Sequence, residues 1–176
     1  MTQSVQQLNQ FGQKPLKGEV AAIPNPVTLS AQIDPSSSGT LYAGDAVRLV
    51  SGTSATILVD TVAATGTVFG FVIRNPKKSS YTAGDAVEIA LPNSVILLEA
   101  YSTISRGNNV EWYPGGNRVK THAGVNTICG TCLDMSTATG DLVRVLVRTV
   151  LEYSSSSSCR SSSSSCRSSS SSSKST

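Results

Sequence analysis

Apolar residues alternate with polar or small ones through most of the chain. Val47 and Leu49, Ile57 and Val59, and Val87, Ile89 and Leu91 follow a period of two. Val143, Val145 and Val147 alternate with Arg144, Leu146 and Arg148, and the pattern runs on to Leu151. Val68 to Ile73 and Ser94 to Tyr101 are short apolar runs. Period two with many β-branched residues predicts strands, because successive side chains on a strand point to opposite faces. No window has the periodicity of an amphipathic helix. Turn residues recur between these segments at Ser51-Gly52, Thr65-Gly66, Asn75-Pro76, Ala83-Gly84 and Pro114-Gly115-Gly116. That spacing predicts an all-β fold, either an antiparallel β-sandwich or a small β-barrel.

One phrase, Gly-[Asp/Asn]-x-Val-x-apolar, occurs four times. It begins at Gly44-Asp45, Gly84-Asp85, Gly107-Asn108 and Gly140-Asp141. Between the members of each pair lies a strand-like segment containing a glycine, Gly70 in one and Gly130 in the other. Matching glycines are offset by 63, 60 and 56 residues. The order predicts an internal duplication, with similar β units over about 41–98 and 104–151. At each phrase the glycine supplies the positive φ of a tight turn, and the Asp or Asn is expected to bond a backbone N–H two residues on. Asp45, Asp85 and Asp141 are therefore turn residues rather than paired catalytic carboxylates. Gly70 and Gly130, inside strands, mark a bulge or a close backbone approach.

The β body, residues 41–153, has an appendage at each end. Residues 1–40 hold five Gln before Lys14, then Pro15, Pro24, Pro26 and Pro35. Proline at this density excludes helix. Apolar Leu8, Phe11, Leu16 and Ile23 punctuate the segment, so two readings stand. It is a loose terminus with one edge strand near Val27 to Ile33, or an extended arm that docks on a neighbouring subunit. Residues 154–176 comprise 17 Ser, two Cys, three cations and one Thr, with Ser-Ser-Ser-Ser-Ser-Cys-Arg repeated in register. Such a tail has almost no apolar surface to offset ordering entropy.

Charge narrows the function classes. Of 14 Lys and Arg, three (Arg160, Arg167 and Lys174) lie in the tail, and the other 11 balance the 11 Asp and Glu. The body is formally neutral, which argues against nucleic acid as a partner. No run reaches the roughly 18 apolar residues of a membrane span. Residues 1–13 lack the basic start and apolar run of a secretory signal, so synthesis in a host cytoplasm is expected.

Candidate chemistry is sparse. Cys129 and Cys132 have the spacing of half a metal site, but on a strand residues three apart face opposite sides. They read as small buried apolar residues. Cys159 and Cys166 are candidates for an interchain disulfide, with free thiols the alternative. His122 is the only histidine, in a Gly-rich polar stretch, and reads as a surface-loop residue. No phosphate loop, dinucleotide fingerprint or nucleophile motif appears. The chain is expected to be no enzyme, with no cofactor, metal or small-molecule substrate. Trp112 and Tyr113 are either an interface anchor or core residues.

Val68-Phe69-Gly70-Phe71-Val72 followed by Ala83-Gly84-Asp85-Ala86-Val87-Glu88-Ile89, after an earlier Ala43-Gly44-Asp45-Ala46-Val47, resembles the capsid decoration, or cement, proteins of tailed bacteriophages. The resemblance covers about residues 41 to 91 and, more weakly, 104 to 151. It implies an all-β virion protein, often a homotrimer, bound to the major capsid protein on the outer capsid surface, with no catalysis. The alternative is a receptor- or glycan-binding fibre module using Trp112 and Tyr113.

Overall fold

A computed structural model describes residues 16–21, 26–52, 55–63, 66–124 and 126–148. Leu8, Phe11, Ile23, Cys159 and Cys166 lie outside the described residues, as does the serine-rich tail. Twelve strands are described: β1 (Thr28–Ile33), β2 (Leu41–Tyr42), β3 (Ala46–Leu49), β4 (Leu58–Thr61), β5 (Gly70–Val72), β6 (Ser80–Tyr81), β7 (Ala86–Ala90), β8 (Val95–Glu99), β9 (Asn109–Tyr113), β10 (Arg118–Thr121), β11 (Ile128–Cys132) and β12 (Leu142–Val147). The fold is all-β. The first sheet is a closed barrel in the order β1-β4-β3-β5-β7, and the second has the order β10-β9-β11-β12-β8. The short pair β2–β6 stands apart.

The two orders are the same arrangement repeated. β3, β4, β5 and β7 pair antiparallel as β4-β3-β5-β7, and β9, β10, β11 and β12 pair as β10-β9-β11-β12. In each unit a fifth strand lies outside the last, β1 against β7 and β8 against β12. Each fifth strand then reaches back in parallel to the second, Ile33 opposite Val59 and Ala100 opposite Val119. The backbone bonds repeat too. Ile33 N–H donates to the Asp85 carbonyl at 2.9 Å, and Ala100 N–H donates to the Asp141 carbonyl at 2.8 Å. Gly44 N–H donates to Val72 at 2.7 Å, and Gly107 N–H to Cys132 at 2.8 Å.

Two boundaries differ from the sequence reading. The strand read near Val27 to Ile33, within the segment 1–40, is β1, and it pairs with β7 and with the start of β4 to close the first barrel instead of lying on an edge. β8, assigned to the first unit, pairs with β12 in the second. Neither fifth strand follows a Gly-Asp phrase, so the repeat gave no signal for them.

The four repeated glycines occupy the third position of tight turns, with φ of 77°, 81°, 85° and 90° at Gly44, Gly84, Gly107 and Gly140. Only glycine adopts that backbone without strain, as a type II turn demands. Each turn is closed by a backbone bond, such as Asp45 N–H to the Tyr42 carbonyl at 3.0 Å and Asp85 N–H to the Thr82 carbonyl at 3.0 Å. The carboxylate adds a second bond, but backwards rather than forwards. Asp45 Oδ2 accepts from Tyr42 N–H at 2.9 Å, Asp85 Oδ2 from Thr82 N–H at 2.6 Å, and Asp141 Oδ2 from Ala138 N–H at 2.9 Å. The chain reverses at the glycine, so the N–H three residues back is the one within reach.

Two cores result. Ile33, Val47, Val59, Val72, Val87 and Ile89 fill the first barrel with Leu41 and Tyr81. Their counterparts in the second unit, Ala100, Val110, Val119, Cys132, Val143 and Val145, belong to one cluster that also takes Ala46, Val68, Phe71 and Ala90 from the first unit. Phe71 meets Trp112 edge-on, ring centroids 5.8 Å apart, and joins the units.

Candidate interaction surfaces

Cys129 and Cys132 are free thiols, and both are buried. The expectation that they face opposite sides fails because β11 shifts register between Ile128 and Gly130, a bulge that turns Cys129 inward. Cys132 occupies the place of Val72 in the first barrel. Burial pushes the Cys129 thiol up to about 12, so it is held as the neutral thiol. Its Sγ donates to the Val110 carbonyl at 3.3 Å, and Cys132 Sγ donates to Asp134 at 3.2 Å. No group of three or more potential metal ligands occurs among the described residues.

The densest ionisable cluster surrounds Glu111, which is 0% exposed. Its neighbours on β9, Val110 and Trp112, point into the core, so Glu111 points the other way. Lys120 Nζ lies 3.1 Å from Oε1, and Asn126 Nδ2 donates to the same oxygen at 3.0 Å. Oε2 accepts from Ala123 N–H at 3.2 Å and lies 3.0 Å from His122 Nδ1. His122 is half-buried here rather than loose on a surface loop. Burial opposes ionisation of Glu111, but Lys120, the Ala123 N–H and His122 outweigh it, and its carboxyl sits below its ordinary range. Both oxygens are committed to the chain's own groups. The cluster pins the segment after β10 over the sheet. Sequence reasoning missed it, since Glu111 occupies an ordinary polar place in the alternation.

Asp45 differs from the other turn acids. Burial lifts its carboxyl above the usual range even against Lys17, whose Nζ lies 2.9 Å away. The hydrogen bond from Lys78 and the Thr82 N–H hold half-buried Asp85 down at about 2. Asp134 is buried enough to resist ionisation, but the Arg144 guanidinium reverses this, with Nε and Nη2 on its two oxygens. Asp60 is likewise held low, burial being outweighed by Ser37 and Arg48.

Of the interface candidates, Trp112 is 4% exposed and packs in the core, so it presents no binding face. Tyr113 is half-buried and rests on Tyr101, centroids 4.4 Å apart, with Lys120 over its ring. Leu16 is 40% exposed and borders a recess of about 460 Å³ lined also by Lys17, Tyr42, Arg74, Lys77 and Lys78. Lys17, Arg74 and Lys78 are paired with Asp45, Glu19 and Asp85. Exposed Leu49 and Ile57, absent from the sequence-based candidates, flank a second recess at the end of the β3–β4 hairpin.

No protein-family profile matches the chain, and neither does any curated protein sequence. Among solved structures, the head fiber gp8.5 N base of bacteriophage phi29 has a similar fold. The TM-score is 0.50 and the identity 15%, over 69% of this chain and 93% of that one. At that identity the likeness is one of fold.

Proposed function

We propose that this chain is a structural virion protein that binds the outer surface of a phage capsid through the major capsid protein and stabilises the shell. The observation that carries the reading is the fold shared with a phage head fiber base over nearly all of that base. The repeated phrases that resemble capsid decoration proteins support it independently, since they form the turns and strands of the body. The body acts as a rigid, doubled β platform, and stabilisation comes from many modest contacts multiplied over the shell. Non-enzymatic function, a trimeric state and the outer-surface location are parts of this proposal. So is the absence of nucleic acid, membrane and small-molecule partners. The test is to strip the protein from heads and compare their resistance to heat and low salt. Equal robustness of stripped heads removes the cementing role.

A second reading is the capsid-anchored base of a fibre with a glycan- or receptor-binding face. The half-exposed Tyr101–Tyr113 pair favours it, replacing the buried Trp112 as the aromatic platform. A glycan array with Tyr101→Ala as control separates the two readings.

A further inference from the structure

Glu111 sits between two neighbouring strands. Lys120 on β10 lies opposite it on one side, and Ile128 at the start of β11 on the other. Lys120 Nζ is 3.1 Å from Glu111 Oε1, and Asn126 Nδ2, just ahead of β11, donates to that same oxygen at 3.0 Å. Oε2 is occupied separately, by the Ala123 N–H and His122 Nδ1. One oxygen of a fully buried carboxylate therefore holds a primary amine and a carboxamide nitrogen side by side.

The first unit shows the same place in a plainer form. Val47, Arg48 and Leu49 on β3 match Val110, Glu111 and Trp112 on β9. Asp60 and Val59 lie opposite Arg48 and Leu49 as Lys120 and Val119 lie opposite Glu111 and Trp112. Arg48 Nη2 is 2.8 Å from Asp60 Oδ2, so the cross-strand ion pair is kept with its charges exchanged. That pair is solvated, with the Arg48 side chain 52% exposed against 0% for Glu111. A guanidinium stays protonated and offers no free amine. An exposed pair of this kind is enough to match the two strands. The second unit instead buries its carboxylate, which carries a desolvation cost, and sets a carboxamide on it.

We propose that Lys120 and Asn126 join in an isopeptide bond within the chain, with Glu111 as the proton carrier. Two obstacles normally keep an amine from a carboxamide: the groups must meet, and the amine must shed its proton. The fold holds both nitrogens on one oxygen, which answers the first. A carboxylate within hydrogen-bond reach of the amine answers the second. Oε1 takes a proton from the Lys120 ammonium and frees the lone pair on Nζ. Nζ bonds to Asn126 Cγ, and the Cγ–Nδ2 bond breaks. Nζ gives up a second proton through the same oxygen, and Nδ2 carries both protons away as an ammonium ion. Glu111 ends as the carboxylate it began as, and no oxidant or further reactant is consumed. The product ties β10, at one end of its sheet's order, to the entry of β11 across β9. This inference does not rest on the capsid reading, because the chemistry lies within one chain.

The test is mass spectrometry of the full chain. Its intact mass should fall below the sequence mass by one ammonia. Lys120→Arg, which keeps the charge but offers no amine, should show its full mass. Trypsin should cut after Arg118 and Arg144 but not after Lys120, because an acylated lysine is not a substrate. Fragmentation of the resulting peptide should place the link between Lys120 and Asn126. The digest reads the unaltered chain, so it decides the matter even if a variant fails to fold. A full intact mass, or cleavage after Lys120, would overturn the proposal. So would ammonia loss that persists in Lys120→Arg, which marks cyclisation of Asn126 onto its own backbone. The same link formed in Glu111→Gln would overturn the role given to Glu111.

Discussion

Gly70 and Gly130 face the same obstacle. A Cβ on Gly70 would lie 2.6 Å from the Ala90 carbonyl oxygen, and one on Gly130 would lie 2.6 Å from the Leu146 carbonyl oxygen. The obstacle is the backbone of the next strand, which cannot rotate away. Gly70→Ala and Gly130→Ala should each destabilise the chain by about 2–3 kcal/mol, the usual scale of overpacking. Gly84 has open space around it and a φ of 81°, so Gly84→Ala should cost about 1–2 kcal/mol from backbone strain alone. Denaturant unfolding of the three variants checks this order.

Trp112 is the only tryptophan, and it lies where the two units meet. Its fluorescence should be blue-shifted in the native chain and should move to the red on unfolding. Trp112→Ala should cost about 3–5 kcal/mol, as for other buried aromatics. A variant that keeps its stability would show that the ring is not a core residue.

Glu111 and its partners form a buried charge cluster. Removing one member leaves the others without partners, which makes such clusters costly to break. Glu111→Ala should destabilise the chain by about 3 kcal/mol, at the lower end for a broken buried pair because Lys120 and His122 retain some solvent. Amide hydrogen exchange at Ala123 should rise in the same variant, since its N–H loses its acceptor.

Acid should weaken the fold through Asp60, Glu111 and Asp134. Each is held below its ordinary value, so each binds its proton less tightly folded than unfolded. Their contribution is fully present above the unfolded values, 3.8 for Asp and 4.5 for Glu, and is lost as pH falls through the lower folded ones. Asp45, raised by burial, has the opposite sign and gains as pH falls. Denaturation midpoints should therefore decline on acidification. Asp134→Asn should flatten that decline, and Asp45→Asn should steepen it.

Much of this architecture was legible in the sequence because the turns carry it. A glycine that must take positive φ, followed by an acid that bonds back across the turn, leaves a mark that survives duplication. The fifth strands carry no such turn phrase, although the segments near Val27 to Ile33 and Ser94 to Tyr101 read as strands. β1 is bracketed by Pro26 and Pro35 with no proline inside it, in keeping with the strand read there, but nothing local shows that its end reaches β4 and closes the barrel. Cys129 and Cys132 are buried, as their small apolar character suggested, and a bulge does lie beside Gly130; what the sequence does not give is that the register shift falls at Cys129 and breaks its alternation. Leu49 and Trp112 hold equivalent positions but differ in exposure, because cover depends on which segment lies alongside. That is tertiary information.

On the proposed function, this duplicated β body sits on the outside of a phage head. Difference density between cryo-electron maps of complete and stripped heads tests it most directly. Extra density is expected on the outer shell at symmetry-related sites, shaped as paired β units contacting the major capsid protein. Density inside the shell, or no difference on its surface, would contradict it.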